Sequence, residues 1–169
     1  MSSEVLEKIY KSYSSYYSLK IAGSEGADVA KVISPFCAEA EFKSHTEKYV
    51  LVKSAKIADI DSNEYVYFYD EQQDSFSIEK IKELSQLAWK EGIVKVKPVY
   101  GHRNTDVTLI VICPSISPEA KKSVKKINFY KSYKFGIYGW SRFRLCVYDD
   151  SASKCYTNRF ADDIKKLFL

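Results

Sequence analysis

Metal and nucleophile chemistry have little to draw on in this chain, which has two histidines and four cysteines among 169 residues. Cys37, Cys113, Cys146 and Cys155 are scattered, with no C-x-x-C pair and no neighbouring histidine to complete a zinc set. Cys113 in TLIVICP and Cys146 in RLCVYD fall in strand-like runs, where a reduced cysteine acts as a small hydrophobe. His45 and His102 each lie in a polar, turn-like stretch, which argues against a metal site or a catalytic triad. No metal and no cofactor are expected. Six glycines and four prolines are too few for a fibrous or low-complexity chain, and no repeat or linker divides it. Long uncharged apolar runs are missing too. The N-terminal MSSEVLEKIYKSYSSYY has charges between its apolar residues, so it reads as neither a signal peptide nor a membrane span. The expectation is one cytoplasmic domain over residues 1–169 with no membrane partner.

What is present is globular in balance, 46% hydrophobic and 28% charged, with fourteen tyrosines that favour half-buried sheet surface. Val5, Leu6, Ile9, Tyr13, Tyr16 and Tyr17 recur at helical spacing, with acids early and lysine later, and predict a first helix. From Cys37 the period changes to two. CAEAEFK, KYVLVKSAKIADI and YVYFYDE read as three strands, separated by turns at SHTE and DSNE. Ser77 as N-cap, the stripe Ile78, Ile81, Leu84 and Ala88, and Gly92 as a left-handed C-terminal glycine define a second helix. TDVTLIVIC is apolar throughout, as in a strand covered on both faces. Ser117 and Pro118 open a third helix with Ala120, Val124 and Ile127 inward. RFRLCVYD is the last strand and FADDIKKLFL a closing helix. The fold expected is α/β: a mixed sheet, with an antiparallel three-strand meander plus parallel crossover strands and helices on both faces.

Charge is uneven. Residues 116–169 carry twelve Lys and Arg against five Asp and Glu, whereas residues 1–115 carry fourteen against seventeen. On the third helix Lys121, Lys122, Lys125 and Lys126 would span an arc of about 140° opposite the apolar stripe. In the last strand, alternation puts Phe143, Leu145 and Val147 on one face and Trp140, Arg142, Arg144, Cys146 and Tyr148 on the other. With Lys134 these residues form a candidate polyanion-binding set, able to neutralise phosphates and stack bases. Solvated lysines, and arginine stems that cover a helix, account for the same residues without a ligand. Gly136 and Gly139 lack the flanking helix starts that a nucleotide clamp requires and read as a bend.

The element order, a meander followed by helix, strand, helix and strand, resembles the restriction-endonuclease-like core. That resemblance implies a metal-binding Asp ahead of a Glu-x-Lys, the carboxylates holding Mg²⁺ while the lysine helps activate water. Asp28 with Glu41-Phe42-Lys43 fits the spacing, and Glu39, Glu41 and Lys43 would share a strand face. Asp28 with Leu51-Val52-Lys53 is a second placement, with leucine where the carboxylate should stand. YKSYKFGIYGW, with FKSH and EKY upstream, is also similar to small uncharacterised prokaryotic proteins carrying a Lys-Phe-Gly-x-x-Gly-Trp segment, a likeness that implies no activity. Three readings follow: a non-catalytic domain whose basic C-terminal third binds nucleic acid or another acidic partner such as a protein, a divergent metal-dependent nuclease, or a protein-interaction module using the tyrosine-rich face.

Overall fold

A computed structural model describes residues 2–24, 31–49 and 56–169. Helix α1 (Ser2–Ser14) precedes strands β1 (Ser18–Ile21), β2 (Ala38–Tyr49) and β3 (Lys56–Asp70), which form an antiparallel meander. Helix α2 (Ile78–Ile93) crosses to β4 (His102–Cys113), parallel to β3, and α3 (Pro118–Val124) leads on toward β6 (Trp140–Asp149), parallel to β4. The outer side of β6 is shared by two short antiparallel strands, β5 (Tyr130–Ser132) and β7 (Lys154–Thr157). The seven-stranded sheet runs β1-β2-β3-β4-β6-β5, with β7 also on β6. A 3-10 helix, Asp162–Phe168, ends the chain.

Each face of this mixed α/β sheet is covered because each carries its own apolar row. Val107, Leu109 and Val111 of β4 pack with Phe143, Leu145 and Val147 of β6 under Ile81, Leu84 and Ala88 of α2 and Ala120 and Val124 of α3. Ile110, Ile112, Cys146 and Tyr148 face the other way, under Leu6, Ile9 and Tyr13 of α1 and Ile164 of the C-terminal 3-10 helix. Val107 and residues 109 to 113 of β4 are fully buried, as the unbroken apolar run predicts for a central strand. Cys113 and Cys146 have no exposed surface and lie in these two cores.

Several elements differ from expectation. SHTE and DSNE are not turns: Ser44 faces Ser62, His45 faces Asp61 and Glu47 faces Asp59 within one continuous β2–β3 ladder. Pairing of β3 with β4 begins at Asp61, so DSNE lies between β2 and β4, and the part of β3 before it pairs with β2 beyond the start of β4. Residues 50–55, within the expected strand KYVLVKSAKIADI, lie outside the described residues. The third meander strand is instead Ser18–Ile21, which no local pattern marks, and Tyr16 and Tyr17, expected on the first helix, lie past its end. Tyr16, beyond the end of α1, is exposed. The third helix is seven residues long, and Lys125 and Lys126 follow it in a turn in which the Lys126 and Ile127 amides donate to Ser123 O. Lys125, the C-cap, keeps right-handed helical angles, so the lysines run on from the helix into the turn that ends it. The closing segment forms a 3-10 rather than an α-helix.

The caps at Ser77 and Ser117 hold as expected: each hydroxyl accepts from the amide three residues on, at 3.2 Å. Gly92 does not end α2 in a left-handed conformation; Val94 caps it with φ −64°. The glycine is there for proximity, since a Cβ on Gly92 would sit 2.5 Å from a Val107 methyl in the central strand. Gly92→Ala should therefore destabilise the fold by about 1–3 kcal/mol in chemical denaturation, although alanine is intrinsically better in a helix by about 1 kcal/mol. An unchanged or raised midpoint would show that β4 yields freely to the helix.

Candidate functional site

The cations in β6 are drawn into the fold. Arg144 is 8% exposed. Its Nε donates to Phe160 O at 3.0 Å, its Nη1 to Glu64 of β3 at 2.9 Å, and its Nη2 to both oxygens of Asp163, at 2.5 and 2.6 Å. Glu64 Oε1 also accepts from Thr108 at 2.6 Å, while Tyr17 donates to Oε2. Burial raises the Tyr17 phenol above its ordinary range, and the Glu64 charge raises it further. Arg142 forms a two-point pair with Asp106, at 2.9 and 3.0 Å, on the same sheet face. An open pocket of about 490 Å³ lies above this network, lined by Tyr13, Tyr16, Tyr17, Glu64, Arg144 and Asp163. Arg144 and both Glu64 oxygens already have internal partners there, so neither has a free charge to offer a ligand.

Lys121 is likewise engaged. Its Nζ lies 3.2 Å from Asp149, a carboxylate 1% exposed at the end of β6, and 5.1 Å from the Tyr156 ring centroid. Ser151 Oγ donates to Asp149 at 2.6 Å and the Ala152 amide at 3.3 Å. Burial pushes the Asp149 carboxyl up, but the bonds from Ser151, Lys121 and Ala152 outweigh it and leave its pKa lowered.

Of the nuclease set, Asp28 and the 51–53 placement lie outside the described residues. Glu41 and Lys43 do share a face of β2, where they form an ion pair of 2.6 Å. Glu39, on the same face, accepts from the Ile33 amide at 2.8 Å and sits 3.9 Å from Lys95. Among the described residues, no three His, Cys, Asp or Glu side chains are grouped so as to hold a metal ion.

The remaining cations behave differently. Lys122, Lys125, Lys126, Lys131 and Lys134 are exposed and have no carboxylate within ion-pair distance among the described residues. Lys131 lies in β5 and Lys134 in the loop that joins β5 to β6. Gly136 N donates to Tyr133 O at 3.0 Å, Ile137 N to Lys134 O at 3.1 Å, and Tyr133 N to Gly139 O at 2.9 Å. Lys134, Phe135 and Gly136 all have positive φ, 47°, 54° and 88°, a conformation that costs a non-glycine residue roughly 1–2 kcal/mol. Phe135 is fully exposed there, with Tyr130 and Ile137 also largely exposed. Lys134 Nζ lies 4.8 Å from the Tyr138 ring centroid and Lys131 Nζ 5.5 Å from that of Tyr133. Trp140, at the start of β6, is half-buried.

His102 anchors this loop. Its Nδ1 is 2.6 Å from Tyr138 O and its Nε2 2.9 Å from Thr105 Oγ1. A carbonyl oxygen only accepts, so Nδ1 carries the proton. Gly139 completes the seat: a Cβ there would lie 2.1 Å from Arg103 O. Sequence reasoning had not singled out Tyr130, Lys131 or Phe135 as site residues; the signal available was Lys-Phe-Gly, with two glycines bracketing apolar residues just before a strand.

The family model described as a domain of unknown function (DUF8052) matches residues 1–169, and the chain belongs to that family. Comparisons with curated proteins and with solved structures each gave no match. No helix of the described residues is long and apolar enough to cross a membrane.

Asp149 yields a pH dependence whose sign follows from its lowered pKa. The unfolded carboxylate binds its proton near pH 3.9, the folded one only at lower pH. The stabilisation is complete above the unfolded value and is lost as pH falls through the folded one. Asp149→Asn should be less stable than wild type at neutral pH, and the gap should narrow in urea melts below about pH 4. A gap independent of pH would deny Asp149 this role.

Proposed function

We propose that this domain is a non-catalytic polyanion-binding module, with nucleic acid as its ligand, and that the binding surface runs from α3 through the turn after it to β5 and the β5–β6 loop. The observation that carries this reading is the sorting of the cations. Residues 120–148 contain eight Lys and Arg and no acid. Within that stretch Lys121, Arg142 and Arg144 are paired to acids from elsewhere in the chain. Lys122, Lys125, Lys126, Lys131 and Lys134 are left facing water. Lys131 and Lys134 meet only tyrosine rings and a hydroxyl, none of the five has a carboxylate within ion-pair distance among the described residues, and the charge of residues 120–148 is positive. Lysine meets phosphate as a mobile point charge, so binding should be sequence-tolerant and steeply salt-dependent through counterion release. The test is a titration of labelled oligonucleotides at several salt concentrations. Lys125→Gln combined with Lys126→Gln should flatten the salt slope by about one to two units while leaving the unfolding midpoint unchanged. If no binding is seen in low salt at tens of micromolar protein, these lysines are simply solvated.

A second reading, the divergent nuclease, is favoured by the Glu41–Lys43 pair on one strand face and by the order meander, helix, strand, helix, strand. It requires Asp28 and Glu41 to hold a divalent ion, which would stabilise the native state. The polyanion-binding reading expects Mn²⁺ to leave the melting temperature unchanged. Saturable stabilisation that disappears in Glu41→Ala, together with DNA cleavage, would establish the nuclease instead.

A further inference from the structure

We infer that the β5–β6 loop is a stacking platform for an unpaired nucleobase, with Phe135 as the ring on which the base lies, so that the polyanion is single-stranded. This inference rests on the polyanion-binding reading above and adds a residue, a contact and a strand preference to it. The loop is an ordered device. Lys134, Phe135 and Gly136 sit in the left-handed region, which two non-glycine residues enter only against an energetic penalty. The loop is held there by the Tyr133–Gly139 backbone bond, by the Tyr133 hydroxyl on Ser141 at 2.9 Å, and by His102 donating to Tyr138 O. What that arrangement achieves is to hold a phenyl ring entirely in water. Burying Phe135 would have stabilised the fold through the apolar area removed from solvent. A strained, anchored loop that instead exposes its largest apolar side chain gains from it only when something covers it.

The chemistry around the ring selects what covers it. Lys131 and Lys134 both precede the ring in sequence, each near a neighbouring tyrosine ring, and Tyr130 is exposed on the adjoining edge strand. Aromatic face alternating with ammonium matches a ligand in which planar rings alternate with phosphates. In a duplex the base faces are already stacked on one another, so only an unpaired strand can use Phe135. Interleaved lysines, with Ile137 as the only exposed aliphatic side chain in the loop, favour that ligand over an anionic bilayer, which would need a broader apolar tip. Trp140, half-buried at the start of β6, is less available for stacking than Phe135.

The experiment compares a labelled homopyrimidine strand with a duplex of the same length, using the full chain and the variants Phe135→Ala and Phe135→Tyr. Phe135 is fully exposed, so neither variant should shift the unfolding midpoint. Phe135→Ala should weaken single-strand binding about 5- to 100-fold, change duplex binding less than about twofold, and leave the salt slope as in wild type because no phosphate contact is lost. Phe135→Tyr, which keeps the ring, should restore most of the affinity. Equal loss on both ligands, or no loss on either, would overturn the stacking role while leaving the lysine surface intact. No binding of either ligand would overturn both proposals. Vesicles rich in phosphatidylserine supply the third arm: Phe135-dependent capture by them without oligonucleotide binding would assign the loop to a membrane surface.

Discussion

The guanidinium of a residue only 8% exposed, on the sheet face covered by α1 and the C-terminal 3-10 helix, must have its charge answered, and the way Arg144 is answered organises much of this molecule. Glu64 comes from β3, Asp163 from the C-terminal 3-10 helix and the Phe160 carbonyl from the segment before it. Glu64 is held in turn by Thr108 of β4 and by Tyr17, just past α1. One side chain thus ties three neighbouring strands to both chain termini. Burial alone would pull the guanidinium pKa down, but Glu64, Asp163 and Asp106 together raise it, so the charge stays in place. Such a cluster is not an efficient source of stability, because apolar residues of similar volume often do as well. What it enforces is register, since a slip of β6 by one residue would carry Arg144 to the opposite face and leave both acids unanswered.

The same face changes character along its length. Near the starts of β4 and β6 it is the charged network of Glu64, Asp106, Arg142 and Arg144; further along it is Ile110, Ile112, Cys146 and Tyr148 under α1. Tyr13 and Tyr17 mark the boundary, their rings at 4.7 Å in an edge contact. Tyrosine suits that position because it presents an apolar body to one half and a hydroxyl to the other. The tyrosine excess in the composition serves this half-buried sheet surface as well as the exposed edge.

Local signals were enough for α2, β4, the opening of α3 and β6, where a cap or an unbroken apolar run is written in neighbouring residues. They failed at SHTE and DSNE, because turn-forming residues can sit in a strand when a polar partner strand answers their backbone groups, and the partner lies more than ten residues away in the chain. The site divided in the same manner. That the C-terminal third is basic was legible from composition; which cations are free was not, because the acids that occupy Arg142 and Arg144 stand at positions 106, 64 and 163, brought alongside only by strand pairing and by the docking of the last helix. Alternation put Trp140 on the cationic face, while Phe135, which is more exposed, was hidden in a loop whose φ angles no periodicity encodes.

This separation of the cations has a consequence for how the domain can vary. Lys121, Arg142 and Arg144 lie against carboxylates, of which Asp149, Asp106 and Glu64 are buried, so altering these cations disturbs folding. The lysines at 122, 125, 126, 131 and 134 have no carboxylate within ion-pair distance among the described residues, and substitutions there are of the exposed kind that shift stability by about 0.5 kcal/mol or less. The edge can therefore gain or lose charge while Arg144 keeps the strands in register. The β5–β6 loop stands between these two regimes: Phe135 is free to change, but Gly139 and His102 are not, since the first is pressed against the Arg103 carbonyl and the second carries the proton that fixes Tyr138. On the proposed polyanion-binding reading, the contacting residues are independent of the core while the seat of their loop is not, so the ligand can change without remaking the fold.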